Sequence, residues 1–163
     1  MKAFTERELR TIKKDTKKWL ICGKGPSLEK YADFEGIFTS VDINQAVEKS
    51  KFDFWHVIDI EVLENYDLSI LNNFDYLIMP WHPHVSKKRY FYKGKNYYAP
   101  GKKNLNDILN SNQIIKTLYN QGRIFTYNLS QKSPSLLHDN YPVINRSINS
   151  SGVIYNLLKS IKA

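Results

Sequence analysis

Short apolar runs alternate along this chain with stretches in which apolar residues recur at helical spacing. The run at 18–22 predicts a first strand that stops at Gly23, and Pro26 opens a short helix over 26–31, since proline suits a first helical turn. Residues 36–41 predict a second strand, which passes through Asp42-Ile-Asn-Gln45 into a short helix at 46–50. A third strand at 54–58 is followed by a helical stretch at 62–66, and a fourth at 76–79 is stopped by Pro80. Helical spacing returns over 106–119 through Ile108, Leu109, Ile114, Ile115 and Leu118. Residues 123–128 supply a fifth strand, and the last helix covers 151–162. Strands alternating with helices predict an α/β fold, Rossmann-like, with a mainly parallel sheet of about five or more strands and helices on both faces.

Two stretches stand outside this alternation. Residues 1–17 are charged, with Leu9 and Ile12 among few apolar anchors, and read as an N-terminal helical appendage. Residues 81–104 read as a long aromatic and basic loop, with a hairpin around Lys93-Gly94-Lys95 and aromatic side chains at Tyr90, Phe91, Tyr92, Tyr97 and Tyr98. Loops of that length are uncommon in compact domains and often serve as lids or binding loops.

Composition narrows the class. The 163 residues suit a single domain, and 42 % hydrophobic with 25 % charged residues argues against a disordered or fibrous chain. No apolar run approaches the roughly 20 residues that cross a bilayer, and the start is charged where a signal peptide is apolar, so a cytoplasmic location is expected. Cys22, the single cysteine, has no partner for an internal disulfide and sits in an apolar run that suits core packing. The net charge of +8 favours anionic partners: nucleic acid, an anionic membrane surface touched peripherally, or small phosphorylated ligands. The cations come in short bursts, such as Lys13, Lys14, Lys17 and Lys18, without a nucleic-acid motif, which disfavours nucleic acid and fits a solvated surface.

The candidate chemistry begins at Gly23-Lys-Gly-Pro-Ser-Leu28. Glycines at 23 and 25 allow a sharp turn and close backbone approach, and a helix start supplies unpaired N–H groups, so phosphate is the natural guest. A plain strand-to-helix turn explains the same residues. Asn44, Asp59, His82 and His84 follow the second, third and fourth strands, and in open α/β sheets ligands bind at such carboxyl ends. Asn44 suits a ribose or base and Asp59 a sugar hydroxyl, while each also suits loop capping. In Trp81-His-Pro-His84 either histidine is a candidate general base; the His-x-His spacing lacks a third ligand, so no metal site is assigned. The alternative is a loop stiffened by Pro80 and Pro83. The aromatic loop suits base stacking, a fold over a small nucleotide, or a lid packed on its own domain. Finally, Ser147-Ile-Asn-Ser-Ser-Gly152-Val gathers hydroxyls and free backbone donors at a helix start, as an anion site or as ordinary capping.

Taken in order, Gly23-Lys-Gly-Pro-Ser-Leu28, Val41-Asp-Ile-Asn-Gln45 and Asn149-Ser-Ser-Gly-Val153 resemble the nucleotide-binding half of bacterial sialyltransferases of glycosyltransferase family 42. They are also similar to the Rossmann-like domain of unknown function 115, which includes 6-hydroxymethylpterin pyrophosphokinase-like proteins. The sialyltransferase likeness implies a site around the CMP part of a donor, built from Gly23, Gly25, Pro26, Ser27, Asn44, Ser151 and Gly152, with Asp59 as a further polar contact; Lys24, inside the glycine loop, is a nucleotide-binding candidate with them. Family members carry, beyond the third motif, a lid with tyrosines and the catalytic histidine. The expectation here is a fragment or compact relative, or a chain whose 81–103 loop supplies the chemistry through His82 and His84. The expected function is binding of a nucleotide or nucleotide-sugar of CMP or UDP type, in a glycosyltransferase-like protein of surface-polysaccharide metabolism with a saccharide acceptor. The alternatives are a pyrophosphokinase-like phosphotransferase using magnesium near Asp59, and a non-enzymatic module that sequesters a nucleotide.

Overall fold

The computed structural model describes residues 1–12, 18–34, 36–92, 95–100, 103–130, 137–145 and 150–161, without the side chains of Ser27 and of 85–100. In chain order the elements are β1 (Lys2–Ala3), α1 (Glu6–Thr11), β2 (Trp19–Cys22), a 3-10 helix at Pro26–Phe34, β3 (Thr39–Ile43), a 3-10 turn at Ala46–Glu48 and β4 (Phe52–His56). Then follow α2 (Ile60–Leu63), a 3-10 helix at Leu68–Asn72, β5 (Phe74–Pro80), β6 (His84–Tyr92), β7 (Lys95–Pro100), α3 (Leu105–Ile108) and α4 (Gln113–Asn120). β8 (Ile124–Leu129), β9 (Val143–Ile144) and α5 (Ser150–Ser160) complete the chain.

Seven strands form one sheet in the order β2-β3-β4-β5-β8, with β1 and β9 both pairing with β8, and every pairing is parallel. The protein is thus α/β, as the alternation of strands and helices predicts. Pleating splits the strand residues between two cores. Val41, Ile43, Phe54, Ile78, Phe125 and Tyr127 pack with Phe4, Leu9 and the α5 residues Val153, Ile154 and Leu157. Trp55, Val57, Leu77, Met79 and Ile124 pack on the other face with Leu63, Ile70, Ile108, Ile115 and Leu118. Helices therefore cover both faces, and the inner strands β3, β4, β5 and β8 are buried on both sides, which is why their runs read as continuous apolar stretches rather than alternating ones.

From β2 to β9 the strand order never reverses. Right-handed crossovers that step in one direction keep to one face, and the α2, α3 and α4 residues share a single core accordingly. β9, by contrast, leads to α5 on the opposite face. β5, β8 and β9 thus form one flank of the sheet. β2, the strand before the glycine loop, is the outermost strand on the other flank.

Two expectations are corrected. Of the stretch 1–17, read as an appendage, residues 1–12 belong to the domain, since β1 joins the sheet and Phe4 and Leu9 are fully buried, while 13–17 lie outside the described residues. Phe4 meets Phe54 and Phe125 edge to face with ring centroids 6.1 and 5.9 Å away, so a short segment is held by aromatic burial, not by helical amphipathicity. In the 81–104 stretch, read as a long loop with a hairpin around 93–95, the hairpin is borne out and the loop is corrected to strands: β6 and β7 pair antiparallel as a separate two-stranded sheet. Aromatic and basic residues fall on both parities there, which hides the strand period.

Candidate functional site

The carboxyl ends of the parallel strands line one edge, and their register orders the candidate residues. Cys22 is level with Asp42 and Ile43 with His56, so Lys24 follows β2 beside Asn44, and Asn44 follows β3 beside Val57. Asp59 lies two residues further along the β4 end. The backbone of His84 then bridges to this strand end, its N–H donating to the Ile58 carbonyl over 2.8 Å. Gly23–Lys24, Asn44, Asp59 and His84 thus occupy consecutive positions along the edge.

The glycine loop is exposed at Gly23, Lys24, Gly25 and Pro26. A Cβ at Gly23 would meet nothing within 4 Å, so packing inside the chain does not demand glycine there. The segment after the loop is a 3-10 helix and not an α-helix: the Leu28 N–H donates back to the Gly25 carbonyl over 3.0 Å, and Pro26 has no N–H. Few free donors remain at that helix start, which makes it a poorer phosphate cradle than the sequence pattern predicts. Cations compensate in part. A cleft of about 570 Å³ beside the loop is lined by Lys24, Gly25, Pro26, Glu29, Lys49 and Ser50. Lys24 Nζ donates to Gln45 Oε1 at 2.5 Å, tying the first motif to the second. The side chain of Ser27 lies outside the described residues.

Asn44 takes a left-handed backbone conformation, φ 64°, which asparagine tolerates better than most residues. Its carbonyl accepts from Trp55 Nε1 at 2.6 Å, and its side-chain Oδ1 is buried with no hydrogen-bond partner among the described residues. Beneath it Asp42 is fully buried. One carboxylate oxygen accepts from the Val47 N–H at 2.7 Å, and burial pushes the group up to about 7 against the partial relief that this hydrogen bond gives. Neighbouring Cys22 is buried, and burial together with Asp42 raises its thiol to about 11; a thiol so protonated packs as a small apolar group, as the sequence suggests.

The next pair is Asp59 and His84. Their Oδ1 and Nδ1 atoms are 3.6 Å apart, with the side chains 29 % and 18 % exposed. A carboxylate beside one ring nitrogen favours a proton there and leaves the other nitrogen as the basic one. His82, by contrast, is buried at the end of β5 and sets its ring edge-on to Trp81, 6.4 Å between centroids. Of the two candidate bases, His84 has the accessible position.

A cluster that the sequence reading missed fills the β5–β8 flank. Asn128 Nδ2 donates to the carbonyls of His138 and Tyr141, both at 2.8 Å, while Asn128 Oδ1 accepts from the His138 N–H at 3.0 Å. The His138 ring stacks on Tyr141 at 4.0 Å and meets Trp81 edge-on at 4.9 Å. The signal was His138-x-x-Tyr141 just past a predicted strand, in a stretch with no periodicity to place it.

Ser151 and Gly152 belong to this second flank. Both lie in the first turn of α5, Ser151 exposed and Gly152 half-buried, while 146–149 of that motif fall outside the described residues. Between β2 and β9 stand four strands, so the ends of the two are roughly 24 Å apart at ordinary strand spacing. Strand order therefore groups Gly23 to Pro26 with Asn44, Asp59 and His84, and leaves Ser151 and Gly152 on the far side. Among the described residues no group of three or more His, Cys, Asp or Glu side chains is placed to hold a metal ion, and no helix is long and apolar enough to cross a membrane. The fold and this edge define an α/β protein with a parallel sheet and a polar carboxyl edge. Comparison of the chain with protein-family models, curated proteins and solved structures gives no match.

Proposed function

We propose that the protein binds a nucleotide or nucleotide-sugar at the carboxyl ends of β2, β3 and β4 and acts as a glycosyltransferase-like, sialyltransferase-like protein. The observation that carries this reading is the Asp59–His84 pair, 3.6 Å apart, on the same row of strand ends as the glycine loop and Asn44. The loop backbone with Lys24 and Lys49 meets the phosphate, and the unpaired Oδ1 of Asn44 accepts from the base or ribose. His84, oriented by Asp59, takes the proton of an acceptor hydroxyl as the new C–O bond forms at the sugar carbon and the bond to the phosphate oxygen breaks. Of the anion sites expected from the sequence, the 23–27 loop is retained and Ser151 has no part in holding the leaving group.

Thermal-shift titration with CMP, UDP, GDP, ATP and their sugars, with and without magnesium, tests the binding. Stabilisation by a pyrimidine nucleotide or its sugar, abolished in Gly25→Val, is expected; no shift with any nucleotide overturns the reading. For the chemistry, His84→Asn and Asp59→Asn should keep the nucleotide shift and lose donor turnover, with His84→Asn the more severe. A shift with ATP alone that requires magnesium would favour phosphotransfer instead.

A further inference from the structure

We infer that the β6–β7 hairpin is an arm that docks the protein on an anionic lipid surface. The chain carries a net charge of +8, and the stretch 84–103 holds seven lysine or arginine residues and no aspartate or glutamate. The same stretch contains Tyr90, Phe91, Tyr92, Tyr97 and Tyr98, five aromatic residues within nine positions. The fold puts this composition on one element. β6 and β7 pair only with each other among the described strands, as a ribbon about 20 Å long by strand rise, and its root at His84 borders the sheet edge through the bridge to Asp59.

Register separates two partners that positive charge alone admits. Tyr90 is opposite Tyr97 and Tyr92 opposite Lys95, whereas Arg89 is opposite Tyr98 and Phe91 opposite Asn96. In a pleated ribbon these two sets of positions belong to opposite faces. A single nucleic-acid strand stacks along one face, so aromatic positions on both are not needed for it. A lipid interface surrounds an inserted ribbon. Aromatic residues on both faces, flanked by Lys87, Lys88 and Arg89 on the root side and by Lys95 on the turn side, match the headgroup region, where aromatic rings partition and cations meet lipid phosphates. This docking does not depend on nucleotide binding.

Co-sedimentation of the full chain with vesicles tests it. Vesicles of equal parts phosphatidylcholine and phosphatidylglycerol should bind the protein, pure phosphatidylcholine should not, and binding should fall with salt. Lys87→Gln/Lys88→Gln/Arg89→Gln should weaken it about a hundredfold, from roughly 1 kcal/mol for each cation at an anionic surface. At unchanged charge, Tyr90→Ser/Tyr97→Ser and Phe91→Ser/Tyr98→Ser should each weaken it about tenfold or more. Melting curves that match the parent chain show that the variants fold, and the salt dependence of the parent chain provides a test without any variant. Equal binding to both vesicle types, or unaltered binding by the triple variant, overturns the proposal. Tighter binding to single-stranded oligothymidylate than to the anionic vesicles overturns it in favour of nucleic acid.

Discussion

His56 on β4 reaches across β5 to Tyr127 on β8, and the two share a hydrogen bond of 2.9 Å in a fully buried position. The other ring nitrogen, Nδ1, has no partner among the described residues, and burial pulls the imidazole down from 6.5 to about 3. A neutral histidine is thereby built into the core under α5, close to the edge that carries the candidate site.

This histidine and Asp42 shape stability in opposite senses. Below about pH 6.5 the unfolded chain protonates His56 while the folded chain keeps it neutral down to about pH 3, so stability falls as pH drops through that window. Folded Asp42 keeps its proton up to about pH 7 whereas the unfolded carboxyl loses it near 3.8, so stability falls as pH rises through that window. Each slope is at most about 1.4 kcal/mol per pH unit. Relative to the parent chain, Asp42→Asn should gain stability steadily from pH 4 to 7 and His56→Phe should gain it as pH falls from 6.5 to 3. Urea midpoints measured across this range check both, and curves parallel to the parent refute the two assignments.

Truncating Phe4 reports on the N-terminal segment. Phe4 is fully buried against Trp19, Phe54 and Phe125, so Phe4→Ala should cost about 3 to 5 kcal/mol. An appended helix would change stability by only about 0.5 kcal/mol or less. Chemical denaturation separates the two.

Gly23→Ala separates fold from ligand. The new methyl meets nothing within 4 Å and the backbone is outside the left-handed region, so stability should hold or rise by about 0.4 to 1 kcal/mol. Nucleotide-induced stabilisation should shrink in the same variant, because a Cβ would stand where the ligand approaches the loop. Unchanged nucleotide shifts would move the ligand away from Gly23.

Asn128→Ala removes three hydrogen bonds that hold 138–141 to β8. A loss of about 2 to 4 kcal/mol is expected, since two carbonyls and an N–H lose their partner together. Amide exchange at His138 should accelerate more than at Ile115, and uniform acceleration would mean global destabilisation only.

Much of the α/β fold was legible because the inner parallel strands are buried on both faces and so appear as unbroken apolar runs, as at Phe54 and Trp55. The strand-end positions of Gly23, Asn44, Asp59 and His84 followed from the same runs. The sequence could not place β1, since two residues carry no period, nor recognise Phe4 as core, since its partners Trp19, Phe54 and Phe125 lie on three separate strands. Nor could it separate the flanks. Whether Gly25 and Ser151 share a ligand depends on strand order, which long-range pairing decides and local pattern does not encode. The sequence by itself determined the alternating elements, the basic and aromatic composition of 84–103 and the motifs at the strand ends. Tertiary structure alone decided that Asp59 meets His84, that His56 meets Tyr127 across β5, and that Ser151 stands on the far flank, because each depends on the order in which parallel strands align.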